Sequence, residues 1–188
     1  TMDFKAERTI AQEFMKFLMS GTLYQGSKPV MWSPVEKTAL AEAEVEYKDK
    51  TSKSIDVSFE ADKESISKLK DIFNTSKPES ISFVIWTTTP WTIPSNVAVC
   101  INAELDYSLI NVNESYVVIA SEMIDECMER WGKVGTEISK VPGKLISDIQ
   151  LLHPFLDRKS VLLHGDYVTT ETGTGCVHTA PAHGVDDH

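Results

Sequence analysis

The chain has 188 residues, enough to bury a full hydrophobic core in one domain. Its composition, 41% apolar and 24% charged, is ordinary for a globular protein, and no apolar run approaches the roughly 20 residues of a membrane helix. The net charge of −10 argues against broad contact with a nucleic-acid backbone, although one flexible RNA end can still be held in a pocket. We therefore expect one cytoplasmic domain over residues 1–188, with no membrane partner.

The three cysteines, Cys100, Cys127 and Cys176, are widely spaced and form no CxxC pair. An odd number without pairing indicates neither a disulfide framework nor a zinc knuckle. We expect all three to be buried as small apolar side chains.

In the first half of the chain, apolar side chains at helical spacing predict a helix over residues 4–20, ended by Gly21. Residues 43–48 and 55–59 alternate apolar and polar side chains, which predicts two strands that pair as a hairpin. Helical spacing returns over residues 65–73 and predicts a second helix.

The second half begins with an apolar strand over residues 81–86, followed by short apolar runs at 97–101, 106–112 and 116–120. Ser121 is a candidate N-cap for a helix that ends at Trp131. Short strands at close spacing favour a barrel over a doubly wound sheet. The predicted fold is α/β, a small mixed or antiparallel β-barrel core with peripheral helices.

A threonine-rich segment, TTTPWTIPSN at residues 87–96, directly follows the strand at 81–86. Pro90 and Pro94 cannot donate to a sheet, so the strand ends near Thr87 and a stiff loop follows. Such a loop aims neutral hydrogen-bonding groups into a common space, which suits a hydroxyl-rich or amino-acid-like ligand. The alternative is that the threonines are ordinary strand residues bonded to nearby backbone.

A second polar segment, TGTGCVHTAPAHGVDDH, occupies residues 172–188. Gly173 and Gly175 allow the backbone either to approach a ligand or to turn. Three chemistries are open: a metal site, a glycine-rich phosphate cradle, and a pocket in which a carboxylate of Asp186 or Asp187 binds an amine. Pro181 and Gly184 argue against a helical pair of metal ligands, and the glycine pattern is weak for phosphate.

Together the two segments resemble the paired signatures of the editing domain inserted in isoleucyl-tRNA synthetases, and residues 28–47 resemble the sequence that leads into that domain. Leucyl and valyl counterparts have an Arg-Pro-acidic-Thr sequence where this chain has Thr89-Pro90-Trp91-Thr92. They also lack the His-Thr-Ala-Pro that begins at His178. Both features are typical of the isoleucyl branch.

The resemblance implies hydrolysis of the ester in misacylated valyl-tRNA(Ile), in a pocket that excludes isoleucine. Asp187 would bind the ammonium of the misattached amino acid, and His178 would line the side-chain pocket. The remaining implied site residues position water, contact the ribose or adenine, or line the pocket: Thr87, Thr88, Thr89, Trp91, Thr92, Asn96, Thr179, Ala180 and His183.

The resemblance also implies partners, namely the 3′ end of misacylated tRNA(Ile) and the remainder of the synthetase chain. The synthetic signatures His-Ile-Gly-His and Lys-Met-Ser-Lys-Ser are absent from this sequence. We therefore expect no amino-acid activation and no cofactor in this domain, although the full enzyme would use ATP and Mg for aminoacylation.

No serine or cysteine stands beside a histidine in a strand-turn-helix context, so we expect positioned water rather than an enzyme nucleophile. Two alternatives to an active deacylase remain open. One is a module that binds the aminoacyl-adenosine end but is inactive outside the full synthetase. The other is a metal-dependent hydrolase that uses His178, His183, Asp186 and Asp187.

Overall fold

The computed structural model describes residues 2–28, 30–184 and 187. Its internal contacts divide the chain into two units, residues 1–49 and 50–188. The organisation of residues 1–188 as one editing domain stays a prediction.

The first unit contains the helix α1 (Phe4–Met19) and a two-stranded antiparallel ladder of β1 (Trp32–Ser33) and β2 (Thr38–Ala39). Asp3 caps α1, because its carboxylate accepts a hydrogen bond from the backbone N–H of Lys5. No residue of α1 is buried. The predicted helix over residues 4–20 is thus confirmed to within one residue.

The second unit contains eleven further helices and strands in the described residues. Two of them are helices of eight or more residues and nine are strands. In chain order they are β3 (Ile55–Glu60), α2 (Lys63–Ile72), β4 (Ser82–Thr87), β5 (Ala98–Ile101), β6 (Asp106–Val112), β7 (Ser115–Ala120), α3 (Ile124–Trp131), β8 (Thr136–Pro142), β9 (Gln150–Leu152), β10 (Lys159–His164) and β11 (Val177–Thr179). Short 3-10 helices join several of these elements, and the one that matters for the site is Pro90–Ser95.

A five-stranded mixed sheet has the order β3-β4-β7-β6-β8, in which only β4 and β7 are parallel. β3 pairs with β4 so that Phe59 faces Phe83 and Val57 faces Ile85. This register buries Phe59 and partly buries Val57, whereas Ile55 at the start of β3 stays exposed.

A four-stranded mixed sheet has the order β11-β5-β10-β9, in which β5 and β10 are parallel. All four residues of β5 are buried. A strand with neighbours on both edges and cover on both faces has a continuous apolar sequence, as Ala98 to Ile101 does. This sheet places β11, with His178, beside the strand that follows the threonine-rich segment.

The core is one apolar cluster that includes side chains from both sheets, α2 and α3, among them the fully buried Phe59, Leu69, Ile85, Leu109 and Ile119. Removal of this apolar surface from water is the main favourable contribution to folding. The three cysteines are buried, as predicted.

The mixed α/β class is confirmed, but the barrel is not, because the described strands form open sheets rather than a closed one. The predicted hairpin of residues 43–48 with 55–59 is wrong, since residues 45–50 form no strand and β3 pairs with β4. Ser121 does not cap α3, whose N-cap is Met123. None of the helices that the structure describes has both the length and the apolar character to cross a membrane.

Candidate functional site

The threonine-rich segment begins where β4 ends, as the two prolines predict. Thr87 Oγ1 accepts a hydrogen bond from the backbone N–H of Thr89 at 3.0 Å, which turns the chain out of the sheet. Pro90 then starts the 3-10 helix Pro90–Ser95, where a missing N–H is tolerated. The segment is therefore a stiff helical turn, not a continuation of the strand.

A cavity of about 440 Å³ lies where this segment meets the chain around β11. Nine of the eleven predicted site residues line it. The complete lining is Trp86, Thr87, Thr88, Thr89, Trp91, Thr92, Val177, His178, Ala180, His183, Gly184 and Asp187. Two segments about ninety positions apart in sequence thus form one pocket.

His178 is the best-anchored side chain of the pocket. Its Nε2 lies 2.9 Å from Thr92 Oγ1, and its Nδ1 lies 2.7 Å from Asn96 Nδ2. Thr92 Oγ1 also donates to the Thr89 carbonyl at 2.8 Å, which uses its single proton. The Nε2 of His178 must therefore be the donor to Thr92.

Asn96 determines the protonation of the other ring nitrogen, Nδ1. Its Nδ2 donates to the Ala98 carbonyl at 2.7 Å, which sets the orientation of the amide. The second Nδ2 proton then points to His178 Nδ1, which must accept it and cannot also have a proton. The hydrogen bonds thus specify a neutral imidazole that is protonated at Nε2.

Electrostatics favour the same neutral form. Burial lowers the pKa of His178 below its ordinary value, and the nearby Asp187 carboxylate opposes this shift only in part. Because both ring nitrogens are engaged, His178 acts as a fixed wall of the pocket and is not placed to take a proton from water.

Asp187 is the only carboxylate among the described lining residues. Its Oδ2 accepts a hydrogen bond from the backbone N–H of Ala180 at 2.8 Å. A Cβ at Gly184 would lie 2.8 Å from Asp187 Cγ, so glycine leaves room for this carboxylate. The contact with Ala180 holds the Asp187 carboxylate in the pocket lining, beside threonine hydroxyls and the imidazoles of His178 and His183.

Two predicted substrate-binding residues, Thr179 and Asn96, do not line the cavity. Thr179 is buried with its Oγ1 near Cys100 Sγ and Tyr167 Oη, at 3.2 and 3.3 Å. It follows His178 in β11, and successive side chains of a strand point to opposite faces. Asn96 is buried behind His178 and contributes to the pocket through that contact.

Sequence reasoning missed Trp86, Val177 and Gly184 as lining residues. Trp86 and Val177 each stand next to a predicted site residue, but the residue patterns indicate them only as strand interior. His183 lines the pocket as expected, and its Nε2 lies 2.9 Å from Ser95 Oγ.

Gly173 and Gly175 have positive φ angles of 91° and 72° and are absent from the cavity lining. A Cβ on Gly175 would overlap Ala120, and Tyr107 Oη donates to the Gly175 carbonyl at 2.6 Å. These glycines therefore let the backbone turn and approach its own sheet, which leaves the phosphate cradle without support.

The metal alternative also finds no support. Among the residues that the structure describes, no group of three or more His, Cys, Asp or Glu side chains is arranged to hold an ion. Asp186, one of the candidate ligands, lies outside the described residues. The thiols are not placed as nucleophiles either: burial raises the pKa of Cys127 to about 11 and that of Cys176 further.

The fold has counterparts among solved structures. A crystal structure named GlLeuRS-CP1 gives a TM-score of 0.62 at 14% identity, covering 72% of this chain and 57% of that chain. The editing domain of the P. falciparum cytosolic leucyl-tRNA synthetase gives 0.58 at 14% identity, covering 71% and 63%. The fold is that of a tRNA synthetase editing domain.

Sequence comparison identifies the family to which the chain belongs. The family described as tRNA synthetases class I (I, L, M and V) matches residues 1–150. The isoleucine–tRNA ligase of Pseudoalteromonas atlantica is 46% identical over all of this chain, which covers 21% of that ligase. The chain belongs to the class I tRNA synthetases, and its resemblance to the editing domain of the isoleucyl enzymes is confirmed. It spans about a fifth of the length of the isoleucine–tRNA ligases it matches.

Proposed function

We propose that this chain is an aminoacyl-tRNA deacylase that hydrolyses the ester of misacylated valyl-tRNA(Ile). The observation that supports this most directly is the single cavity that brings Asp187 together with His178 and the threonines of residues 87–92. Its volume falls within the range of small-molecule sites. An aminoacyl ester offers one ammonium and several hydroxyl groups, which match one carboxylate among hydroxyl and imidazole groups.

The need for such a site follows from the chemistry of the two amino acids. Isoleucine and valine differ by one methylene, and an established value for their discrimination in a binding pocket is only about 1–3 kcal/mol. A second site that admits valine and excludes isoleucine removes the wrong product after it forms. The rigid ring of His178, held by Thr92 and Asn96, is suited to set such a size limit.

In the proposed reaction, Asp187 pairs with the substrate ammonium and fixes the amino acid in one pose. The hydroxyls of Thr87, Thr88 and Thr89 orient a water molecule towards the ester carbonyl and donate to the developing oxyanion. Water adds to the carbonyl carbon, the bond to the ribose oxygen breaks, and one water proton ends on that oxygen while the other is released to solvent. Valine is released as its carboxylate.

The proposal includes the remaining expectations from the sequence. The partners are the 3′ end of misacylated tRNA(Ile) and the rest of the synthetase chain. The domain works in the cytoplasm and needs no cofactor of its own. Trp91, 66% exposed at the rim, is available to contact the terminal adenine.

The test compares hydrolysis of valyl-tRNA(Ile) and isoleucyl-tRNA(Ile) by this chain and by Asp187→Asn. Asparagine keeps an acceptor for the Ala180 N–H and removes only the charge, so we expect folding to be retained. The valyl ester should be lost faster than the isoleucyl ester, and the variant should lose at least about tenfold in valyl hydrolysis, as for removal of a charged hydrogen bond. Asp71→Asn, an exposed change on α2, is the matched control.

Full activity of Asp187→Asn would contradict the role of this carboxylate. Absence of hydrolysis by the unmodified chain, with binding of a non-hydrolysable valyl-adenosine mimic, would indicate a binding module that needs the full synthetase. Loss of activity with a chelator, restored by zinc, would favour the metal-dependent hydrolase.

A further inference from the structure

Three side chains from one short segment contact the far end of the threonine-rich turn. His153 Nε2 lies 2.8 Å from the Ile93 carbonyl, Arg158 donates to the Pro94 carbonyl, and Ser160 Oγ donates to Asn96 Oδ1 at 2.7 Å. We call His153, Arg158 and Ser160 the clamp. None of the three lines the cavity.

The clamp contacts the turn at its C-terminal end, where the 3-10 helix Pro90–Ser95 stops. The last carbonyls of a helix have few N–H donors of their own. The Ile93 carbonyl already accepts the Asn96 N–H at 2.9 Å, so His153 is its second donor. The His153 Nδ1 accepts a backbone N–H from Leu156 at 3.1 Å, so its Nε2 has the proton and donates to Ile93. His153 is itself buried, which keeps this hydrogen bond away from competing water.

Ser160 connects the clamp to the pocket wall. Its hydroxyl donates to Asn96 Oδ1, the amide of Asn96 donates to His178 Nδ1, and His178 Nε2–H donates to Thr92. Both Ser160 and Asn96 are buried. Without the Ser160 hydroxyl, Asn96 Oδ1 would lose this donor in the interior, and the amide would be free to tilt away from His178.

We propose that the clamp is a positioning device for the editing pocket, in which Ser160 acts through Asn96 to fix the orientation of His178. The inference rests on the proposed function for its effect on selectivity, but not for its effect on the histidine. Ser160 is a positioning residue, because it touches neither the cavity nor a substrate.

The experiment uses Ser160→Ala, with Ser108→Ala as the matched control. Ser108 is also a fully buried strand serine, but it lies in β6 of the five-stranded sheet, where its hydroxyl bonds Glu137 of β8 and Ser121. Two quantities are measured: the ratio of kcat/KM for valyl-tRNA(Ile) to that for isoleucyl-tRNA(Ile), and the tautomer of His178 by nitrogen-15 NMR.

In the unmodified chain we expect His178 to be protonated at Nε2 alone. Ser160→Ala should populate the second tautomer and reduce the selectivity ratio by about five- to tenfold, the effect of one lost buried hydrogen bond. Ser108→Ala should change neither. If Ser160→Ala does not fold, Ser160→Cys keeps the size and a weak donor, and should give an intermediate effect.

An unchanged tautomer in Ser160→Ala would overturn the inference, as would the same change in Ser108→Ala. If the unmodified chain hydrolyses neither ester, the proposed function fails. The tautomer measurement then still decides the inference, because it needs no substrate.

Discussion

At the scale of single residues, the pocket depends on a neutral histidine that cannot change its protonation without breaking a contact. A proton on Nδ1 of His178 would point at the Nδ2 group of Asn96, which is itself a donor. The same neutrality suits the proposed substrate, since a cationic ring beside Asp187 would compete with the ammonium for the carboxylate.

This arrangement predicts a pH dependence of stability. The pKa of His178 is lowered in the folded chain, while an unfolded histidine titrates near about 6.5. The unfolded state therefore takes up the proton first, and the free energy of unfolding falls as the pH drops below about 6.5. Urea unfolding at pH 7.5 and 5.5 should show a smaller decrease in His178→Gln than in the unmodified chain.

The control for this prediction is the interval from pH 7.5 to 8.5, where His178 stays neutral in both states. The unmodified chain and His178→Gln should then change in parallel. An equal decrease below pH 6.5 in both chains would show that other groups determine the acid dependence.

Residue patterns and the family resemblance contributed different parts of the candidate site. The patterns singled out the threonine-rich segment and left the carboxylate open between Asp186 and Asp187, whereas the resemblance to isoleucyl editing domains selected His178, Asp187 and Thr179. Thr179 does not line the cavity, because its position next to His178 in a strand sends it to the opposite face. Asn96 was identified, but its role behind the pocket depends on Ala98 and Ser160, which the local sequence does not indicate.

At the scale of elements, the loop before α2 connects that helix to β9 and β10. Asp62 caps α2 by accepting the Ser65 N–H at 2.9 Å, and Lys159 of β10 contacts the same carboxylate at 2.6 Å. Ser65 Oγ in turn accepts the backbone N–H of Gln150 in β9. The cap thus joins the start of the helix to the edge of the sheet.

We predict that Asp62→Ala lowers the free energy of unfolding by about 1 kcal/mol at pH 7, the usual effect of a lost N-cap. Asp62→Asn keeps the cap and loses only the partly exposed ion pair, so it should cost less. Urea denaturation measures both. A larger loss in Asp62→Asn than in Asp62→Ala would contradict the dominance of the cap.

Lowering the pH should remove the stabilisation that the ionised Asp62 carboxylate provides. The hydrogen bonds from Lys159 and Ser65 lower the pKa of Asp62 to about 2, compared with about 3.9 for an unfolded aspartate. The contribution of Asp62 is therefore present above about pH 4 and is lost as the pH falls towards 2. The difference in stability between the unmodified chain and Asp62→Ala should shrink over that interval.

Elements with local determinants were predictable, and those with distant partners were not. β5, β6 and β7 follow from apolar runs bounded by turn residues, and α2 follows from its helical spacing. β9 has only three residues, too few for a period. The hairpin and the barrel were inferred from spacing, whereas actual pairing joins β5 to β10, some sixty positions later in the chain.

At the scale of the whole molecule, the net charge limits how much of a tRNA the chain can contact. The net charge of −10 argues against tight binding of a whole tRNA by this chain alone. The proposed substrate contact is consequently limited to the 3′ end that enters the cavity, and the remainder of the synthetase would supply the other contacts.

The hydrophobic core is formed by the second unit of the chain, residues 50–188. In the described part of the sequence, every buried apolar side chain lies at or beyond Phe59, and every residue that lines the cavity lies at or beyond Trp86. Since burial of apolar surface dominates stability, we predict that residues 50–188 fold alone. Removal of residues 1–49 should change the free energy of unfolding by less than about 1 kcal/mol, as for surface changes.

Urea denaturation followed by fluorescence tests this prediction, with a chain lacking only residues 1–21 as the intermediate control. Both shortened chains should unfold in one cooperative transition, and both should keep the hydrolysis ratio of the full chain. A broad or lost transition in the shorter chain alone would show that residues 22–49 stabilise the core. Retained folding with lost hydrolysis would instead assign those residues to substrate binding, because the cavity itself would be intact.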